Sequence, residues 1–297
     1  MKILHTADLH LGRSLANHSL EQDQQSILDQ ILASVIKHEP NVVIIAGDIF
    51  DRPTAAQSVV AQFNNFVRSL ANQSQAALVM IAGNHDAQER IEAMGLLPDL
   101  NRVLIRGTAI ANEQPLILHD DFGPVAFTGL PYLHEFKARE LFENPNISSP
   151  EDILRAQFEH AKASVPKGTR WVVTAHTFVA GAVTSDIEQP LSRVGGIDAV
   201  PGAIFEEANY IALGHLHKPQ SMYKKHIRYS GAPLALGFDE AGTKKSLSLV
   251  EMDAELPKPE MVIEAFLKQV RDQDVSSDEN HLIKHYLTAL AAEEKFV

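Results

Sequence analysis

The sequence predicts a two-sheet α/β sandwich with helices on its outer faces and a short helical appendage at the carboxyl end. Three observations lead there. From the amino terminus to Gly95, short apolar runs alternate with amphipathic helical patterns, which is how βαβ units and a parallel sheet read. Beyond Gly95 the strand-like pieces shorten, with Gly and Pro between them, pointing to a second, more antiparallel sheet. The length of 297 residues is enough to bury a large core between two such sheets.

Lys2 to Thr6 reads as the first strand, and Leu20 to Lys37 as a helix with Ile27, Leu28, Ile31, Leu32, Val35 and Ile36 on its apolar face. Val42 to Ala46 follows as a buried strand, completing a βαβ unit. A helix around Ala55 to Leu70 then leads to a strand at Ala77 to Ala82, ended by Gly83. Val103 to Arg106, Leu116 to His119 and Val125 to Leu130 are assigned to the second sheet. Helices are expected near His134 to Phe142 and from Pro150 to Ala163, the latter opened by Ser149 as cap and Pro150 at the first helical position. Strands resume at Trp171 to Ala175 and Tyr210 to Leu213, and Ile227 to Ser230 and Ser246 to Met252 complete the sheets.

Residues 1–252 thus form the body. Residues 253–259 carry two prolines and read as a linker. In residues 260–297, Val262, Phe266 and Val270 recur every four positions, and so do Leu282, Tyr286 and Leu290, which predicts two amphipathic helices.

Composition bounds the chemistry. No apolar run approaches the length needed to cross a bilayer and the amino terminus enters a strand at once, so neither a membrane span nor a signal peptide is expected and the cytoplasm is the simplest location. The absence of cysteine excludes disulfides and thiolate ligation, leaving nitrogen and oxygen donors for any metal. A net charge of -12 argues at first against a polyphosphate partner. Half of that excess, however, lies between Glu251 and Val297, which hold eleven acidic and five basic residues. Arg13, Arg52, Arg90 and Lys218 each follow a candidate site segment, where they could ring its mouth or serve as ordinary surface cations.

The chemistry is carried by Asp8-Leu9-His10, Gly47-Asp48, Gly83-Asn84-His85-Asp86, Ala175-His176 and Gly214-His215-Leu216-His217, nearly all directly after an apolar run. Asp, His and Asn without Cys suit manganese, iron or zinc better than a calcium cage. So many ligands exceed the needs of one ion. Two ions about 3.5–4 Å apart sharing a carboxylate would use them, an arrangement suited to phosphoryl displacement. Asp48 is the candidate bridge, since Gly47 before it allows close approach of backbone and metal. Asn84 offers a neutral carbonyl oxygen, while His85 either binds and protonates at the phosphate or merely caps a helix beginning near Ala87. The remaining histidines, His5 and His226 among them, lack the strand-end context and read as structural or solvated.

The order of these segments resembles that of the calcineurin-like metallophosphoesterases. Ile3-Leu4-His5-Thr6-Ala7-Asp8-Leu9-His10-Leu11-Gly12, Ala46-Gly47-Asp48-Ile49-Phe50-Asp51, Tyr210 to His217, Tyr229-Ser230-Gly231-Ala232-Pro233 and Gly237-Phe238-Asp239-Glu240 are similar to one branch, the SbcD family of nuclease subunits related to the meiotic-recombination nucleases. The resemblance covers residues 1–252 and implies that Asp8, His10, Asp48 and His217 hold one ion and Asp48, Asn84, His176 and His215 the other. His85 would assist at the phosphate. It further implies manganese-dependent 3′-to-5′ exonuclease action on duplex ends, endonuclease action on hairpins and single strands, and a role in DNA recombination, replication and repair. An SbcC-type ATPase would be the partner, with a homodimer inside a heterotetramer. Gly195-Gly196-Ile197-Asp198 and Phe205 match the stretch that precedes the last metal motif, without an assignable chemical role. One departure stands out: the DNA-capping domain that the family places after the last strand is expected to be missing. The terminal helices would dock on the ATPase or pack back on the body. A phosphatase or cyclic-phosphodiester hydrolase of the same superfamily, and a non-catalytic scaffold for the ATPase, are the competing readings.

Overall fold

Hydrophobic residues in strands of period two, flanked by amphipathic helices, assemble as the sequence predicts, in a computed structural model that describes residues 1–95, 101–185, 199–240 and 242–253. The expected terminal helices, nearly all of the linker, and Gly195 to Asp198 lie outside the described residues. The strands are β1 (Lys2–Thr6), β2 (Ser14–Leu15), β3 (His18–Ser19), β4 (Val42–Ala46), β5 (Ala77–Ile81), β6 (Val103–Arg106) and β7 (Leu116–Asp120). They continue with β8 (Gly123–Leu130), β9 (Arg170–His176), β10 (Tyr210–Gly214), β11 (Gln220–Ser221), β12 (Ile227–Tyr229) and β13 (Ser248–Glu251). The helices are α1 (Glu21–His38), α2 (Gln57–Gln73), α3 (Gln88–Ala93), α4 (Glu135–Leu141) and α5 (Pro150–Ser164).

One sheet has the order β13-β1-β4-β5-β6 and the other β11-β12-β10-β9-β8-β7. Their facing sides share a core in which Ile3, Val42, Ile44 and Val79 from the first meet Phe127, Val172, Tyr210 and Ala212 from the second. Side chains on the opposite faces of the same strands go to the helices. Val43 and Ile45 join Ile27, Ile31, Phe63 and Phe66 of α1 and α2, and Val173 and Ile211 join Leu154 and Phe158 of α5. The alternation along each strand therefore builds four layers, helix, sheet, sheet, helix. Truncating a fully buried aliphatic such as Ile44 to Ala would cost about 2–5 kcal/mol.

Two strand assignments differ from expectation. Val103–Arg106 pairs in parallel with β5 and closes the first sheet rather than opening the second. The second sheet is parallel through its centre, with β8, β9, β10 and β12 running the same way, and antiparallel only where β7 and β11 edge it. The reason is connection length. Short connections join the antiparallel pairs β7–β8 and β11–β12, whereas α4 and α5 fill the crossover from β8 to β9, giving the chain room to return and run parallel. The small β2–β3 hairpin was not legible at all.

Candidate metal centre

Because the central strands of each sheet are parallel, their carboxyl ends gather at one edge, the usual place for a site in an α/β protein. In register, Ala46 lies beside Ile81 and Gly214 beside His176, so each segment singled out in the sequence leaves its strand at the same level. The loops are laced together. Asp8 N donates to the Gly47 carbonyl (3.1 Å), His10 N to that of Asp48 (3.0 Å), and His215 N to Asp8 Oδ1 (2.9 Å).

This lacing holds Asp8, His10, Asp48 and His215 at φ of 55°, 43°, 50° and 104°. Such left-handed backbone costs of order 1–3 kcal/mol per non-glycine residue and persists where surrounding structure over-determines it. Glycine does the complementary work. A Cβ on Gly214 would fall 1.8 Å from the Ala46 carbonyl oxygen, and one on Gly47 (φ 89°) 2.4 Å from His176 Nδ1. Only without those methyl groups can the two sheets meet at this edge.

Asp8, His10 and His217 converge as one set of potential ligands and Asp48, His176 and His215 as another, each with one donor atom per residue within 4.8 Å of the others, and His10, Asp51 and His85 form a third such set. Asp48 joins them. Its Oδ2 stands 3.3 Å from His176 Nε2 and 3.6 Å from His10 Nε2. Asn84 belongs to the second set, with Oδ1 at 3.0 Å from both His176 Nε2 and His215 Nδ1. The eight site residues expected from sequence are thus all at one place, His85 included.

His176 and His217 are each oriented by a partner behind the ring. His176 Nδ1 donates to the Ala46 carbonyl (2.8 Å), which leaves Nε2 to face Asp48 and Asn84. His217 Nδ1 lies 2.6 Å from Glu240 Oε1, and the other oxygen of Glu240 binds Lys245 Nζ at 2.6 Å. Lys245 is only 1% exposed and also reaches the His217 carbonyl (3.3 Å), so the buried ammonium offsets the buried carboxylate. Burial alone would raise Glu240, but His217 and Lys245 hold it down at about 2. Burial likewise works to raise Asp48, yet the charge and hydrogen bond of His176, with His10 and His85, keep it well below the usual carboxylate range. At His176 burial is outweighed by Asp48, which lifts it to about 9. The field at His176 Nε2 therefore favours positive charge there.

His10 behaves differently. Both ring nitrogens are buried and neither has a hydrogen-bond partner among the described residues, the nearest carboxylates being Asp48 at 3.6 Å and Asp51 at 3.5 Å. An imidazole buried with two unsatisfied nitrogens is costly, of order 1–3 kcal/mol, unless a cation completes it. His85 sits partly exposed at the rim, its backbone N bonded to Asp48 Oδ1 (2.9 Å) and its Nδ1 3.0 Å from the Asp51 carbonyl. It does not cap α3, whose N-cap is Ala87 with no side-chain cap bond.

Residues 1–219 match the family model for calcineurin-like phosphoesterases. The chain belongs to that family. Similar solved structures include a dimetal phosphatase from Danio rerio, 10% identical over 85% of this chain and 92% of that one at a TM-score of 0.49. Another is YfcE, a phosphoesterase from E. coli, 14% identical over 85% and 90% at 0.34. A third is GAP50, the anchor in the inner membrane complex of Plasmodium, 10% identical over 94% and 98% at 0.45.

For a calcineurin-like phosphoesterase the donor set fits two divalent ions: nitrogen and oxygen only, Asp48 Oδ2 standing between histidines of two of the clusters, and a buried histidine without a hydrogen-bond partner between carboxylates. Among the described residues no helix is long and apolar enough to cross a membrane. The flanking cations divide. Arg13 is tied to Asp51 Oδ1 (2.8 Å) and the Leu236 carbonyl (3.0 Å), and Arg90 lies over the Phe50 ring, whereas Arg52 is 78% exposed beside the site.

Sequence reading gave no role to four residues that shape this centre. Asp86 accepts from the backbone N of Ile49, Phe50 and Gly83 (3.1, 2.9 and 2.9 Å), clamping the Asp48 loop to the Asn84 loop. Asp51 sits between Arg13 and the His10 and His85 rings. Glu240 and Lys245 back His217. Asp51, Asp86 and Glu240 all lay inside quoted motif strings, a signal that was available. Lys245, in a polar Gly-Thr-Lys-Lys run, gave none.

Proposed function

We propose that this phosphoesterase is the two-metal DNA nuclease subunit of an SbcCD-type complex, cutting duplex ends 3′ to 5′ and hairpins or single strands internally. The observation that carries the two-metal part is the position of Asp48 Oδ2 between His10 and His176. Asp8, His10, Asp48 and His217 would hold one ion, and Asp48, Asn84, His176 and His215 the other. Two divalent ions, manganese in this reading, supply when bound the positive charge that stabilises the attacking and leaving oxygens of a phosphoryl displacement. His85 handles the proton. With Nδ1–H donated to the Asp51 carbonyl, Nε2 can carry a second proton and deliver it to the leaving oxygen while the ring keeps its orientation.

DNA as substrate rests on the resemblance of the branch-specific strings; two of these also serve the centre, since Glu240 of Gly237 to Glu240 orients His217 and Ser230 Oγ donates to the His5 carbonyl (2.7 Å) at the root of the Asp8 loop. In this reading residues 1–252 are the nuclease domain, 253–259 the linker and 260–297 the segment that docks on an SbcC-type ATPase, within a homodimer and in the cytoplasm. Manganese-dependent turnover of a hairpin and a blunt duplex, compared with a cyclic nucleotide and with and without the ATPase and ATP, tests it. Cleavage of the oligonucleotides is expected. Turnover of the cyclic nucleotide alone would replace the nuclease by a small-phosphodiester hydrolase.

A further inference from the structure

Next to the metal centre, and unused by the chemistry above, lies a cleft of about 640 Å³ between the end of β8 with its following segment and α5. At one end it is lined by His176 and Thr177, which places it beside the strand end that carries one of the candidate metal ligands. Leu130, Leu133, Ile153 and Leu154 line it and are buried. Several polar groups along it are already engaged. The Pro131 carbonyl accepts from Gln157 Nε2 (3.0 Å), the Tyr132 carbonyl from Gln88, and Arg139 binds the Ile147 carbonyl (2.6 Å) and Glu135 (3.1 Å).

The wall of the cleft is aromatic. The rings of Tyr132 and His134 meet edge to face at 5.1 Å, and those of His134 and Phe136 lie nearly parallel, 14° apart with centroids at 5.9 Å. Phe136 is 63% exposed, so part of its ring faces solvent beside His134. A solvent-facing parallel aromatic pair beside an apolar floor offers π-faces.

We infer that this cleft is a nucleobase subsite, in which the unpaired base adjoining the scissile phosphate stacks on the His134–Phe136 pair. The inference rests on the nuclease reading and names what part of the DNA the site grips. Its volume is in the ligand-pocket range of about 300–1,000 Å³. Stacking requires no hydrogen bond to a base edge, so the cleft accepts any base, since every base has a π-face. A base inside a duplex has no free face to offer, so the subsite selects frayed ends, hairpin loops and single strands.

Phe136→Ala tests this without touching the core, with Phe136→Trp as the variant that restores an aromatic face. The substrate is a single-stranded oligonucleotide, compared with the same strand carrying an abasic position beside the scissile phosphate, in manganese. The wild type is expected to cut the abasic strand there with kcat/KM lower by about 5- to 150-fold, the worth of one base–aromatic stack. Phe136→Ala should cut both strands at that lower efficiency, and Phe136→Trp should recover the preference, with metal content unchanged in all three. Equal cleavage of both strands by the wild type, or an unaltered preference in Phe136→Ala, would overturn the subsite while leaving the nuclease standing. A wild type that cuts neither strand would overturn the nuclease reading and the subsite with it.

Discussion

At the residue scale the centre separates into side chains that would hold metal and side chains that aim them, and the two classes should fail differently. In the proposed function His85, bonded through Nδ1 to a backbone carbonyl at the rim, serves proton transfer rather than metal retention, although it also converges with His10 and Asp51. His85→Ala is expected to keep both ions, measured by elemental analysis of the purified protein, while cleavage falls by about 10²–10⁴. Normal cleavage in that variant would remove His85 from the mechanism. Glu240 and Lys245 are the opposite case, since neither can reach a phosphate from its place behind His217. Removing Glu240 alone would strand a buried ammonium at about 3–5 kcal/mol, which would confuse folding with function. Glu240→Gln combined with Lys245→Met takes both charges out together. Calorimetric manganese titration should then show one of two sites weakened about 10- to 100-fold and the other unchanged. Two unaltered sites would mean that the pair serves only the fold.

At the element scale the strands explain why the ligands are legible in the sequence. An apolar run followed by Asp or His is a strand delivering a side chain to the sheet's carboxyl edge, and five such junctions in one chain have few other readings. What periodicity could not give was direction. Val103–Arg106 looks the same in a parallel or an antiparallel partner, and only the length of its connections decides. Nor could it reveal which glycines are structural joints. Gly214 is one, with the Ala46 carbonyl oxygen where its Cβ would be. The obstructing atom is backbone, in the sheet opposite, and cannot rotate away. Gly214→Ala is therefore expected to lose about 1–3 kcal/mol or more by urea denaturation, and to lose metal binding, because Ala46 also orients His176. A variant with wild-type stability and metal content would show that the sheets can separate here at no cost.

At the scale of the whole molecule, the sandwich edge was legible because its chemistry is local to strand ends, whereas the joints between the sheets were not. His5 illustrates the gap. In sequence it is a histidine inside an apolar strand with no apparent duty, but it crosses the sandwich, with Nδ1 2.9 Å from Tyr210 Oη and Nε2 3.2 Å from the Leu213 carbonyl. Contact with a strand two hundred residues away leaves no trace in local pattern. Burial, with Arg228 nearby, pushes His5 down to about 3, so the folded protein refuses a proton that the unfolded chain accepts near 6.5. The sign follows from that order. Above pH 6.5 neither state binds the proton and the full contribution is present; as pH falls below 6.5 the unfolded state is favoured progressively, until about pH 3. Between pH 7.5 and 5 this single group should withdraw about 2 kcal/mol of stability. Urea denaturation of the wild type and His5→Asn at both pH values isolates it, because Asn cannot titrate. The stability advantage of the wild type at pH 7.5 should shrink by that amount at pH 5, and a difference that stays constant would mean that His5 is protonated within the fold.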